Sequence, residues 1–263
     1  MDSKNVIIAV ILSTLVLVFW GAFFEPPVSE VQIEKNQITK NNEEELPFYT
    51  YPAIKFIERI TQKSDKVFEY GIGGSSFWWA RRVKEVVSVE HNPQWIKNIR
   101  KNAPNNLTTI LSQRDDNCKQ SDPNGILDEF FRRHREVVSG DLDHDIEHGL
   151  EWVSFKDYVL TLTSFPKGHF NIIVIDGMAR SMAAWLAGQH ISDNGVIIFD
   201  DSHRWQYNAG FSALTEQGFR LVDFWGPGPV KTNEWCTSIF LKNTSILNRN
   251  YLLEKGSPSD LGW

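Results

Sequence analysis

The chain has 263 residues, a formal net charge of -6, 23% charged and 41% hydrophobic residues, and two cysteines, Cys118 and Cys236. The length suits one full-sized domain with an addition. The mild acidic balance argues against a protein that holds nucleic acid by neutralising phosphates, and two distant thiols outside any CxxC pair argue against a disulfide framework. Ten tryptophans are many, and most are expected in the core.

In chain order, Val6 to Phe24 comes first, 19 consecutive uncharged positions with Ser13 and Thr14 as the only hydroxyls. At helical rise this run is roughly 28 Å long, close to the hydrocarbon thickness of a bilayer. Trp20 sits near one end, where an interfacial aromatic belongs. A signal peptide is the competing reading, but "FFEPPVSE" offers no Ala-x-Ala-like cleavage site. Residues 1–24 are therefore expected to be an uncleaved single-pass anchor, contacting membrane through 6–24. Residues 25–46 read as a flexible acidic tether: Glu25 to Glu45 carries six Glu, two Lys and no apolar periodicity. "MDSKNVIIAVILSTLVLVFWGAFFEPP" and its acidic, Asn/Lys-rich sequel resemble the amino-terminal anchor of YidC-type membrane insertases. The resemblance implies an anchor and no insertase activity, because nothing after Leu46 has the apolar length of a further span.

From Leu46 the pattern alternates. Tyr51 to Thr61 spaces Ile54, Ile57 and Ile60 as a helix does. "KVFEY" reads as a buried strand, "SSFWWARRV" as a helix and "EVVSVE" as a second strand. In "NPQWIKNIRKN", Asn92 is a cap and Pro93 the first helical position. "LTTIL" is a third strand; "FNIIVIDG" and "GVIIFDD" are continuous apolar runs suited to central parallel strands. "MARSMAAWLAGQH" between them is a helix, and "FRLVDFW" and "TSIFLK" are the closing strands. Strands alternating with helices predict a Rossmann-like doubly wound α/β sheet over residues 47–245. The rhythm is lost at about 113–168, which reads as an insertion containing two short helices, and 246–263 reads as a tail.

The glycine turn is the first candidate site. In an open α/β sheet, ligands bind beyond the carboxyl ends of the strands. The strand ending at Glu69–Tyr70 is followed by Gly71, Gly73 and Gly74, which allow a tight bend, and by Ser75 and Ser76 at a helix start. A dinucleotide site wants G-x-G-x-x-G, and its sixth position here is Ser76. S-adenosylmethionine (SAM) has no phosphate and carries an ammonium group, which Glu69 would suit. Glu90, 21 residues after Glu69 and ending a strand, can accept ribose hydroxyls of either cofactor. A tight strand–helix turn with no ligand is the plainer alternative.

"VFEYGIGGSSFWWARRVKEVVSVEHNPQW", followed by "FNIIVIDGMAR" and "NGVIIFDDS", resembles the class I SAM-dependent methyltransferases over about residues 50–243. The resemblance implies a seven-stranded sheet with an antiparallel last strand. It carries over Glu69, Gly71 and Gly73 as the glycine motif and Glu90 as the ribose carboxylate; Gly74, Ser75 and His91 complete the candidate cofactor site. The third glycine of the common motif is Ser75 here.

Asp176, Asp200 and Asp201 end the two central apolar runs on the same expected edge. Three carboxylates there need compensation. One reading is a Mg²⁺-like ion, as in catechol O-methyltransferase-like branches of the family; the other is helix capping and backbone hydrogen bonds without metal. His203 is a candidate general base, alongside Asp176 and Asp201 as catalytic candidates, with a solvent-facing loop histidine as the alternative. Arg180 reads either as an anion-binding or a surface residue. "DLDHDIEH" (Asp141 to His148) matches no metal-ligand spacing and reads as solvated loop, and "WGPGPVKTNEW" as a loop near the acceptor pocket or a hairpin with packed aromatics. The function expected is methyl transfer to a hydroxyl or amine of a small molecule or envelope precursor. An NAD-linked oxidoreductase and a non-catalytic tethered scaffold remain the alternatives. The positive-inside rule and the insertase resemblance put the amino end inside, whereas a cytoplasmic supply of SAM asks for a cytoplasmic domain; the latter is the expectation kept.

Overall fold

Four runs of β-branched and aromatic residues lie buried and parallel at the centre of the computed structural model: β1 (Lys66–Tyr70), β2 (Glu85–Glu90), β4 (Ile172–Ile175) and β5 (Val196–Phe199). β3 (Leu107–Leu111) flanks β2, and β6 (Arg220–Gly226) and β7 (Trp235–Leu241) complete a seven-stranded sheet of order β3-β2-β1-β4-β5-β7-β6. β7 runs antiparallel to both β5 and β6, and the other pairs are parallel. The sequence-based expectation of an antiparallel closing strand is met. The structure describes residues 46–115, 125–133, 154–230 and 232–248. The expected anchor, nearly all of the tether, "DLDHDIEH", Cys118 and residues 249–263 lie outside the described residues. Among the described residues no helix is long and apolar enough to cross a membrane.

The strands are apolar on both faces because helices cover both. On one face Phe68, Tyr70, Val87, Ile173, Ile175, Ile197 and Phe199 pack against α5 (Lys156–Leu160), α6 (Arg180–His190) and α7 (Asn208–Glu216). On the other, Val67, Val86, Ile172, Val174, Val196 and Ile198 meet α1 (Tyr51–Ile60) and α2 (Gly74–Arg82). Each fully buried Val or Ile contributes roughly 1.5–3 kcal/mol. Trp78 and Trp79 of α2 are both 0% exposed and meet edge to face, which makes them packing residues. α3 (Pro93–Arg100) starts as its sequence indicates: Asn92 Oδ1 accepts from the N–H groups of Gln94 and Trp95.

Three boundaries differ from expectation. The segment read as an insertion spans the connection from β3, at one edge of the sheet, to β4 on the far side of β1; α4 (Ile126–Arg133) and α5 belong to this crossover. The topology requires that connection. The tail begins later than residue 246, since Ile246 is 1% exposed and belongs to the second core. α7 has no counterpart in the sequence reading. Its Gly210 is a poor helix former, but a Cβ there would lie 2.9 Å from Ser181 Cα, so the glycine serves close packing of α7 on α6.

From β1 the chain winds outward to β2 and β3, then returns to β4 and β5 on the other side. The order of strands therefore reverses between β1 and β4, and ligands of such sheets bind at this switch point. The Gly71 turn ends β1, and Asp176–Gly177 ends β4.

Candidate active site

At the end of β1, Glu69 is 1% exposed and accepts three serine hydroxyls: Ser75 at 2.6 Å, Ser76 at 2.5 Å and Ser88 at 2.7 Å. Ser88 lies directly beside it in the β1–β2 register. Burial raises the Glu69 pKa, and the three hydroxyls pull it back. Glu69 was expected to meet the ammonium group of a cofactor. Its oxygens instead tie β1, β2 and the first turn of α2 together, which makes it a residue that shapes the turn. Ser75 belongs to the same tie. Gly73 donates its N–H to Ser76 Oγ at 3.2 Å, capping α2, which begins at Gly74.

The two motif glycines have different physical reasons. Gly71 has φ +96°, and a Cβ there would stand 2.9 Å from the Asp176 carbonyl oxygen. It is therefore demanded by the backbone of β4 as well as by its own left-handed conformation. Gly73 would meet nothing within 4 Å. That open side is where the turn can admit a ligand.

Glu90 ends β2 and faces this turn. Its Oε2 accepts the Ile72 N–H at 3.3 Å from inside the glycine turn, and its Oε1 accepts the N–H groups of His91 at 2.9 Å and Asn92 at 2.8 Å. The His91 ring adds Nδ1 at 2.9 Å from Oε1. Burial opposes ionisation of Glu90, but the His91 ring, with the N–H groups of Asn92 and Ile72, holds the carboxyl below its ordinary value. Glu90 is thus an ionised acceptor whose Oε2 is the less crowded oxygen. His91 stacks edgewise on Phe155 and Tyr158, so the crossover segment before β4 reaches the site. Trp95 of α3, which sequence reasoning did not single out, donates Nε1 to the Ile72 carbonyl at 2.6 Å.

Asp176, Asp200 and Asp201 do converge, but around a guanidinium. Arg180 Nη2 bonds Asp176 Oδ1 at 3.0 Å, Nη1 bonds the Asp200 carbonyl at 2.6 Å, and Nε bonds the Gly177 carbonyl at 3.0 Å. Asp201 Oδ2 is 4.0 Å from Arg180 and 2.8 Å from Arg204. Burial works against the Arg180 charge, but Asp176, followed by Tyr207, Asp200 and Asp201, outweighs it and raises its pKa. Arg180 is 12% exposed at its side chain, which removes its surface reading.

Asp200 is 4% exposed, and its Oδ1 takes Thr237 Oγ1 at 2.6 Å and Trp235 Nε1 at 3.3 Å. Both donors are neutral, and Arg180 spends its bond on the Asp200 main chain. Burial first, then Asp176, pushes the Asp200 carboxyl up to about 7 against the Thr237 hydrogen bond.

The acids therefore do not fit the Mg²⁺-like ion that is one of the two readings of the sequence. The compensating charge is Arg180, Asp200 is committed to Thr237 and Trp235, and among the described residues no group of three acidic, His or Cys side chains is disposed to hold a metal. Two non-glycine residues take left-handed backbone here, Ala179 (φ 50°) and Asp201 (φ 55°). Such strain gathers at functional sites.

His203 lies in the loop after β5, exposed, with Trp225 6.3 Å away. Its Nδ1 accepts the Cys236 N–H at a long 3.5 Å. Neutral imidazole in that arrangement carries its proton on Nε2. The β6–β7 loop reaches the carboxyl edge of the sheet, since Trp235 bonds Asp200 and Gly228 packs on Tyr49 and Trp235.

No protein-family model matches the chain, and no curated protein matches it. Solved structures do share its shape in part. A methyltransferase-like protein from Silicibacter pomeroyi aligns at TM-score 0.43 and 20% identity over 76% of this chain and 90% of that one. A TehB-like SAM-dependent methyltransferase from Corynebacterium glutamicum aligns at 0.44 and 12%, over 81% of this chain and 96% of that one. Spermidine synthase from Thermotoga maritima aligns at 0.42 and 11% over 73% of this chain, which spans 57% of that enzyme's length. The seven strands and the antiparallel β7 are those that the class I methyltransferase resemblance implies.

Proposed function

We propose that this chain is a SAM-dependent methyltransferase acting on a hydroxyl or amine of a small molecule or envelope precursor. The observation that carries the reading is the joining of Glu90 to the glycine turn through the Ile72 N–H, at the switch point of the sheet. An ionised carboxylate beside an open glycine turn is built to accept ribose hydroxyls. SAM, when bound, supplies a methyl group on a positively charged sulfur. Glu90 would hold the ribose, Gly73 would leave room for the ligand, and His91 would flank it. Asp176, 27% exposed at its side chain and oriented by Arg180, would take the proton of the acceptor. Asp201, 4.0 Å from Arg180, and His203, in the same loop, are further candidates. The missing last glycine of the dinucleotide motif favours SAM over NAD.

Isothermal titration of the full-length protein in mild detergent tests this. SAM should bind in the micromolar range, and Glu90→Ala should weaken it roughly 100-fold, as loss of charge-assisted hydrogen bonds to two hydroxyls predicts. NAD binding without SAM binding would overturn the reading, and binding of neither would favour a scaffold.

Residues 6–24 are inferred, from their apolar length, to anchor the enzyme, and its need for SAM asks for the domain in the cytoplasm. Protease added to intact cells should then leave the domain uncut. Its digestion from outside would place it away from its cofactor.

A further inference from the structure

Tyr158 of α5 is 0% exposed, yet its hydroxyl has no hydrogen-bond partner among the described residues. Buried polar groups are paired in the great majority of cases, so this orphan asks for a reason. Its place is specific. A Cβ built on Gly177 would collide with the Tyr158 hydroxyl oxygen and would stand 2.8 Å from the Gly71 nitrogen. The hydroxyl therefore sits at the pinch between the ends of β1 and β4, where the strand order reverses. The ring is fixed on its other sides by Tyr70 at 5.6 Å and Phe155 at 5.8 Å. The backbone of α5 is pinned as well, by Tyr70 Oη donating to the Val159 carbonyl at 2.8 Å.

Glu90 is the leading charge acting on the hydroxyl, ahead of Arg180 and Asp176, after burial itself. The Met178 N–H approaches the oxygen, which leaves the proton as the unanswered half of the group. An O–H at the glycine pinch, on a ring packed edgewise against the His91 that bonds Glu90, is placed to donate to whatever Glu90 holds.

We propose that Tyr158 is a cofactor-binding residue whose hydroxyl donates to a ribose hydroxyl oxygen of the adenosyl group held by Glu90. The inference rests on the cofactor reading above. It adds a contact that neither the glycine motif nor the strand ends supply, on the crossover segment. The hydroxyl is sealed in the free chain, so binding includes a displacement of the ring or of its neighbour His91, whose side chain is 37% exposed. The closed state with an unanswered proton makes that displacement easier than breaking a made hydrogen bond would.

The test is titration of S-adenosylhomocysteine into full-length wild-type protein and Tyr158→Phe, with thermal unfolding of both in the absence of ligand. Because the hydroxyl proton has no acceptor among the described residues, Y158F gives up only the approach of the Met178 N–H and should unfold close to the wild-type temperature. It should bind about tenfold more weakly, as one lost hydrogen bond predicts. The penalty should vanish on either the 2′-deoxy or the 3′-deoxy form of the ligand, whichever lacks the contacted oxygen. Unchanged or tighter binding by Y158F would overturn the inference while leaving the cofactor reading intact. So would a penalty that persists on both deoxy forms. Absence of binding by the wild type would remove the cofactor reading and this inference with it.

Discussion

Arg180→Met is expected to be the most damaging single change in the described part of the protein, lowering stability by about 3–5 kcal/mol, the range for breaking a buried ion pair from one side. The reason is local bookkeeping of charge. Asp176, Asp200 and Asp201 meet at the ends of β4 and β5, and Arg180 is the cation at their centre, bonded to Asp176 and to the carbonyls of Gly177 and Asp200. Methionine keeps the apolar stem of the side chain but removes the guanidinium donors of two carbonyls and leaves the acids facing one another. Chemical denaturation measures the loss. Added Mg²⁺ should not restore wild-type stability, because the acids are not arranged as ligands. Full rescue by Mg²⁺ would revive the metal reading. Arg180→Lys should recover only part of the loss, since one ammonium cannot span the three acceptors that the planar guanidinium reaches.

The second large effect depends on pH. The Asp200 carboxyl is held at about 7 in the folded protein by burial and by Asp176, well above the roughly 3.9 of an unfolded aspartate. Between these values the folded chain keeps a proton that the unfolded chain has released. The stability owed to this group is therefore fully present below about pH 4, falls as pH rises, and is lost above about pH 7. Asp200→Asn removes the titration and preserves an oxygen for Thr237 and Trp235. It should leave stability nearly unchanged at pH 4 and raise it at pH 8, by on the order of 2–4 kcal/mol. Unfolding curves at the two pH values decide the matter, and an equal effect at both would contradict the assignment of the proton to Asp200.

The fold was legible because its evidence is local. "IIVI" and "VIIF", short β-branched runs bounded by turn residues, suit strands buried on both faces, and Asn92–Pro93 announces a helix start within two residues. α7 was not legible, because Gly210 weakens its pattern and is explained only by Ser181 of another helix. The places of the candidate site residues were legible, and their bonding partners less so. Glu90, Gly71, Gly73, Asp176, Asp200 and Asp201 all lie at the expected strand ends. What the sequence hid were partners fixed by register and topology. Ser88 reaches Glu69 because β2 lies beside β1. Thr237 and Trp235 reach Asp200 because β7 runs beside β5. Arg180 stands four residues after Asp176, a spacing visible in the sequence, but its reach to the Asp200 carbonyl depends on β4 and β5 being neighbours. The same topology turns a presumed insertion into the connection that carries Tyr158 to the switch point.

The central claim is that Glu90 and the glycine turn form one adenosyl-binding site. A crystal structure of the full-length protein with S-adenosylhomocysteine tests it most directly. The account predicts both ribose hydroxyls within hydrogen-bond distance of the Glu90 carboxylate, with the ligand passing over Gly73. A nucleoside seated away from Glu90, with Glu90 still bonded only to Ile72, His91 and Asn92, would contradict it.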